Sequence, residues 1–230
     1  MLKAESSLDN AAGSTVEIVG AGSARYTPGG TLKRVLDIAI ATTGMVVLWP
    51  LMLMVALAIR YTDPGPAIFG HERIGLNGRR FKCLKFRSMI INSDAALRDL
   101  LDRDPTAAAE WAQSQKLKND PRITKLGKML RETSLDELPQ LWNVLKGEMS
   151  IVGPRPIVSA EVRRYGNHFP AYAATKPGIT GLWQVTGRSD CTYEERVSLD
   201  VAYVENWSLL RDVWIIAKTV IVVFGRKGSY

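Results

Sequence analysis

From Ile38 to Ile59 the chain runs for 22 residues without a charged side chain, long enough as a helix to enter a bilayer. The run starts well inside the chain, has no small-residue cleavage pattern behind it and exceeds a signal-peptide core, so it is expected to persist in the mature protein. Lys33 and Arg34 stand one turn before Asp37, placed to neutralise it at headgroup depth. Near the middle of the run, Pro50 lacks an N–H and clashes with the carbonyl of Val46, which predicts a bend or break. A straight span would put Lys33 and Arg34 on one side and Arg60, Arg73, Arg79, Arg80 and Lys82 on the other, against the cytoplasmic bias of positive charge. A re-entrant helix broken at Pro50 keeps both basic flanks cytoplasmic and is the favoured expectation.

Thirty Lys and Arg against 23 Asp and Glu give a formal charge of +7. That surplus suits nucleic acid, anionic headgroups or a phosphorylated substrate alike; the apolar run favours the last two. Cys83 and Cys191 lie far apart, with only His71 and His168 to accompany them, so neither a disulfide framework nor a zinc site is suggested. No GxGxxG, P-loop, HExxH or EF-hand pattern occurs, and no internal repeat. The length fits one full domain.

Residues 1–30 are rich in Ser, Gly, Ala and Thr without sustained period and read as a disordered or loosely attached tail, with a short alternation at Val16–Val19 as a candidate strand. Residues 31–60 form the membrane element and 61–230 a catalytic domain. Asp63-Pro64-Gly65-Pro66 stops the helix; Ala67–Arg73 and Arg79–Phe86 read as strands joined around Asn77-Gly78. Helical spacing marks Asn92–Arg103 and Thr106–Leu117, a surface pair split by Pro105. Arg122–Arg131 reads either as a basic interfacial helix or as a core-facing one, and Leu209–Phe224 as a helix too short to span. The fold class expected is α-dominated α+β: a re-entrant N-terminal helix, interfacial amphipathic helices and a small cytoplasmic domain with short strands.

Ser134-Leu135-Asp136-Glu137 has the spacing of a capping box, and Pro139 places the acid pair in the turn ahead of a helix. There the helix N-terminus favours an ionised carboxylate, a phosphate and a metal's ligands in one small region. Gly153-Pro154-Arg155-Pro156 fixes the backbone on both sides of an arginine, which reduces the entropy lost when its planar fork grips a phosphate; a stiff surface turn is the ordinary alternative. Lys82, Lys85 and Arg87 are read as alternating along one strand face, and Arg188 follows a strand expected at Gly181–Val185.

The 24 residues from Thr133 to Pro156, with Lys85-Phe86-Arg87-Ser88-Met89, Lys176-Pro177-Gly178-Ile179-Thr180-Gly181 and the opening from Lys33 to Asp37, resemble the bacterial sugar transferases, the monotopic phosphoglycosyl transferases. The resemblance runs from Lys33 nearly to Tyr230. It implies transfer of a sugar phosphate from a UDP-sugar to polyprenyl phosphate at the inner membrane. Asp136 would attack the sugar-linked phosphorus, release UMP and form an aspartyl phosphosugar that the lipid phosphate then attacks. The resemblance further implies Mg²⁺ held with Asp136 and Glu137, and phosphate and nucleotide bound by Lys85, Arg87, Arg131, Arg155 and Arg188. The long segment Asn92–Asn119 is similar to the exopolysaccharide-initiating group, which commonly uses UDP-galactose or UDP-glucose. Trp49 stands where many relatives carry a small hydroxyl residue. The rival readings are a tethered nucleic-acid-binding protein, whose affinity would fall steeply with salt, and a structural membrane protein with a plain span. The donor sugar and any homo-oligomer stay open.

Overall fold

The computed structural model describes residues 29–114, 117–187 and 191–224. The expected tail up to residue 28, its candidate strand at Val16–Val19, and Arg188 lie outside them.

The apolar run lies within α1 (Gly30–Thr62), one helix of 33 residues, long and apolar enough to cross a membrane. Its inward residues Lys33, Asp37 and Ala41, and then Val55 and Ile59, recur at spacings of four, and Met45, Leu51 and Met52 carry the stripe across the interval at helical spacings. Side chains at that spacing share one helix face. The opposite face exposes Leu32, Val35, Val46, Val47, Trp49, Leu53, Met54 and Leu57. The helix runs through Pro50 without interruption, which corrects the expected break. Proline there costs roughly 3 kcal/mol, and burial of residues such as Val55 and Ile59 offsets it at roughly 1.5–3 kcal/mol each.

Both ends of α1 dock on the same domain. At the start, Lys33 Nζ donates to Asp212 Oδ2 at 2.6 Å, and Arg34 donates to the carbonyls of Val144 and Leu145 at 2.6 and 2.9 Å. Asp37 accepts from Ser150 Oγ and the Ile151 N–H, both at 3.0 Å, so the expected neutralisation by Lys33 and Arg34 gives way to contacts made across the fold. At the far end, Val55 and Ile59 pack with Phe86 and Leu130.

Strands β1 (Ile68–Ile74) and β2 (Arg80–Phe86) pair antiparallel from Ile68↔Phe86 to Ile74↔Arg80. Asn77 (φ 56°) and Gly78 (φ 71°) take the left-handed geometry that a tight hairpin requires. Phe69 lies opposite Lys85 and His71 opposite Cys83, so these four share a face; Lys82, opposite Glu72, points the other way, correcting its expected alignment with Lys85. Helices α2 (Ser93–Arg103) and α3 (Pro105–Ser114) form the surface pair, α2 with no buried residue. In α4 (Lys125–Glu132), Leu126 and Leu130 pack inward while Met129 is exposed.

Helix α5 (Gln140–Lys146) carries Asn143, which is 1% exposed. Its side chain accepts from the Leu84 N–H at 2.9 Å and donates to the Lys82 carbonyl at 2.8 Å, completing the free edge of β2 as a neighbouring strand would. Strands β3 (Ser150–Val152) and β4 (Gly178–Thr180) pair parallel. A Cβ on Gly153 would lie 2.5 Å from the Lys176 carbonyl oxygen, so only glycine permits this approach. After α6 (Val162–Tyr165) and α7 (Phe169–Ala173), the expected strand at Gly181–Val185 is instead helix α8 (Leu182–Thr186). A short apolar run fits either period, and here Gly187 N–H bonds to the Trp183 carbonyl. Helices α9 (Tyr193–Glu205) and α10 (Leu209–Phe224) close the chain, α10 burying Asp212 and Ile215 and exposing Leu210, Val213, Trp214 and Ile221.

Candidate active site

Asp136 and Glu137 occupy the 3-10 turn Leu135–Glu137 that leads through Pro139 into α5. Ser134 takes left-handed geometry (φ 56°) and makes no side-chain cap bond, so the expected capping box does not form. The Glu137 carboxylate turns instead to Lys85. Because Asn143 fixes β2 to α5, Lys85 projects onto the turn that begins the same helix: its Nζ lies 2.5 Å from Glu137 Oε1 and 3.8 Å from Asp136 Oδ2.

Arg155 lines the same cleft, with Arg73, Cys83, Lys85, Glu137 and Gln140. Its guanidinium lies over the Trp183 ring, 5.8 Å from the centroid, within reach of a cation–π contact. Buried Pro154 and half-buried Pro156 flank it. Arg131, in the last turn of α4, donates from Nε to Ser88 Oγ at 2.8 Å. Arg87 goes elsewhere: its guanidinium meets the carbonyl and, at 3.5 Å, the carboxylate of Asp63, where it closes the end of α1. The structure therefore gathers Lys85, Asp136, Glu137 and Arg155, with Arg131 close enough to act on Asp136 by charge. Arg73, which lines the cleft, was missed by the sequence reading; its place on the hairpin face shared with Cys83 and Lys85 was the available signal.

The two acids differ electrostatically. Burial pushes the Asp136 carboxyl above the usual carboxylate range, opposed by Lys85, reinforced by Glu137 and opposed again by Arg131. Burial acts on Glu137 too, but Lys85, Arg155 and hydrogen bonds from Lys85 and Gln140 hold it below that range. Environments that separate a carboxyl pair in this way commonly divide its chemical roles. Burial pushes the Cys83 thiol up to about 11, which leaves it inert.

Among the described residues no three His, Cys, Asp or Glu side chains gather as a metal cage. A two-carboxylate set still fits Mg²⁺, which draws further ligands from phosphate and water. Lys85 donates to Glu137 and stands 3.8 Å from Asp136 Oδ2, so among the described residues the buried Asp136 carboxylate has no hydrogen-bonded counter-charge, a deficit that a divalent cation would fill.

The chain is 53% identical over 199 residues to a UDP-galactose-lipid carrier transferase of Erwinia amylovora, and 53% identical over 199 residues to an undecaprenyl-phosphate galactose phosphotransferase of Salmonella typhimurium. Each alignment covers 86% of this chain and 42% of the relative, so the chain spans less than half the length of either. It is 48% identical over 202 residues to the exopolysaccharide production protein ExoY of Sinorhizobium fredii, covering 88% of this chain and 89% of that one. The family model described as bacterial sugar transferase matches residues 29–226, which include α1, the acid pair and Arg155; the chain belongs to the bacterial sugar transferase family.

Proposed function

We propose that this protein transfers a hexose-1-phosphate from a UDP-sugar to undecaprenyl phosphate with release of UMP, the first membrane step of exopolysaccharide or glycoconjugate synthesis. The observation that carries the reading is the placement of Lys85 between Asp136 and Glu137, with Arg155 on the same cleft. UDP-galactose or UDP-glucose is the favoured donor, in keeping with relatives named for galactose and glucose transfer.

In the first step an Asp136 carboxylate oxygen bonds to the sugar-linked phosphorus. The bond from that phosphorus to the oxygen bridging it to the α-phosphate breaks, and its electron pair leaves with UMP. In the second step an oxygen of the lipid phosphate attacks the same phosphorus, and the Asp136–phosphorus bond breaks to restore the carboxylate. Splitting the transfer in this way is covalent catalysis with ping-pong order. Arg155 and Lys85 hold the diphosphate and stabilise charge on the leaving oxygen; Glu137, kept ionised by Lys85, orients that lysine. Mg²⁺ held by Asp136 and Glu137 would neutralise phosphate charge and assist the leaving group.

Membrane placement follows from α1. A straight helix of 33 residues is about 50 Å long, and residues near both ends contact one domain. A helix crossing a hydrocarbon core of about 30 Å would separate those ends onto opposite sides. We therefore read α1 as bending near Pro50 without losing its helical continuity, so that it enters and leaves one face, the cytoplasmic face of the inner membrane, with Val46, Val47 and Trp49 deepest. An acid pair held at that interface meets a cytosolic UDP-sugar and a lipid phosphate together. The test is UMP release by nanodisc-held protein given Mg²⁺, undecaprenyl phosphate and a panel of UDP-sugars. Turnover with one sugar, abolished in Asp136→Asn, supports the reading; no UMP from folded protein with any sugar overturns it.

A further inference from the structure

A second cavity, of about 200 Å³, lies at the start of α1 and shares no lining residue with the acid cleft. Lys33, Arg34, Asp37, Ser150 and Lys176 line it. Lys33 is matched by Asp212. Asp37 is directed at Ser150 and the Ile151 N–H. Arg34 uses its fork on two uncharged carbonyls, and Lys176 has no hydrogen-bond or ion-pair partner among the described residues.

The two remaining cations converge. A side chain begun at Gly147 would find Arg34 Nη2 at 3.5 Å and Lys176 Nζ at 3.7 Å, so both face the same small space. Gly147 (φ 84°) ends α5 in left-handed geometry, which keeps that space open. The Lys176 ammonium is held below the usual lysine range by burial and then by Arg34, with Asp37 opposing and Lys33 adding. Asp37 lines the cavity but accepts from Ser150 and the Ile151 N–H and from neither of these cations, and like charges brought together in this way are an arrangement that an anion completes. Leu32 and Val35, exposed beside them on α1, set the cavity next to the apolar face that enters the bilayer in the proposed placement.

We propose that Arg34 and Lys176 form a second anion site, separate from the acid cleft, that takes a phosphate group at headgroup depth. An anionic phospholipid and a free phosphate share this chemistry, and the membrane placement proposed above bears only on the lipid source. Each cation near a membrane surface contributes about 1 kcal/mol, so losing one should reduce occupancy about fivefold.

The full chain in detergent is given phosphatidylglycerol or phosphatidylcholine, and retained lipid is counted by native mass spectrometry; inorganic phosphate binding is measured separately by calorimetry. The wild-type protein is expected to retain one phosphatidylglycerol in preference to phosphatidylcholine. Lys176→Gln should lose that preference about fivefold, Lys176→Arg should keep it, and Lys128→Gln, an exposed control, should match wild type. Phosphate binding with the same dependence on Lys176, without lipid preference, supports the site and names a free phosphate as its source. No preference and no phosphate binding by the wild type, or an unchanged preference in folded Lys176→Gln, overturns the proposal.

Discussion

Lys33, in the first helix, and Asp212, in the last, form a buried ion pair 2.6 Å long that ties the two ends of the described chain together. Asp212 also accepts from Tyr203 Oη at 2.7 Å and Trp207 Nε1 at 3.0 Å, so the carboxylate is satisfied by three side chains. Removing one partner leaves the other charge buried and unpaired, a cost of about 3–5 kcal/mol. Lys33→Met is expected to destabilise by about that amount in chemical unfolding. The double variant Lys33→Met/Asp212→Asn should recover part of the loss; no recovery would mean that the lysine acts through packing alone.

Asn143 sets the geometry on which Lys85 depends. Asn143→Leu leaves the Leu84 N–H and the Lys82 carbonyl without their partner, at about 1–3 kcal/mol each. UMP release should fall at least tenfold, with a larger loss in kcat than in KM, because the acid pair loses a correctly placed Lys85. Full activity in the variant would show that β2 is held by its other contacts.

Asp200 is 2% exposed, and burial pushes its carboxyl up to about 7, with Tyr165, Arg155 and Arg196 opposing. Tyr165 Oη donates to it at 2.7 Å. Because the folded state keeps its proton to a higher pH than the unfolded state, this group's contribution is most favourable below the ordinary carboxylate pKa. That contribution is lost as pH rises towards about 7 and is constant above. Asp200→Asn should therefore gain stability relative to wild type across that window, with an upper bound on the order of 4 kcal/mol. A difference between the two proteins that is independent of pH would contradict the assignment.

Re-entry of α1 predicts that its two ends share one side of the membrane. In a Cys191→Ser background, cysteines at Thr31 and Tyr61, both exposed, should each react with an impermeant maleimide in inverted vesicles and neither in intact cells. Labelling of one position from each side would establish a span instead.

The hairpin, the surface pair α2–α3 and the last helix were legible because each carries a strong local signal: the Asn77-Gly78 turn, the helical spacing about Leu97, Leu100 and Leu101, and the unbroken apolar run after Asp212. Asp136, Glu137 and Arg155 were legible as a group through the family resemblance, whereas composition and spacing alone left each with an ordinary alternative. Less legible was everything set by distant contacts. The partner of Lys33 lies 179 residues away, and the Ser134–Glu137 spacing predicted a local cap that Lys85, 52 residues upstream of Glu137, displaces. The Gly181–Val185 run failed because five apolar-rich residues do not distinguish a strand from a helical turn. Pro50 was expected to interrupt α1, yet the inward stripe continues on both sides of it, set by packing against a domain that local sequence does not display.

The central claim is that Asp136 becomes covalently phosphorylated by the donor. Nanodisc-held protein, given Mg²⁺ and the active UDP-sugar with no lipid phosphate, is quenched in acid and its intact mass recorded. A gain of one hexose phosphate, absent in Asp136→Asn and discharged when undecaprenyl phosphate is added before the quench, is the predicted result. UMP formation that strictly requires the lipid phosphate, with no adduct in the wild-type protein, would contradict it and point to direct transfer between the two substrates.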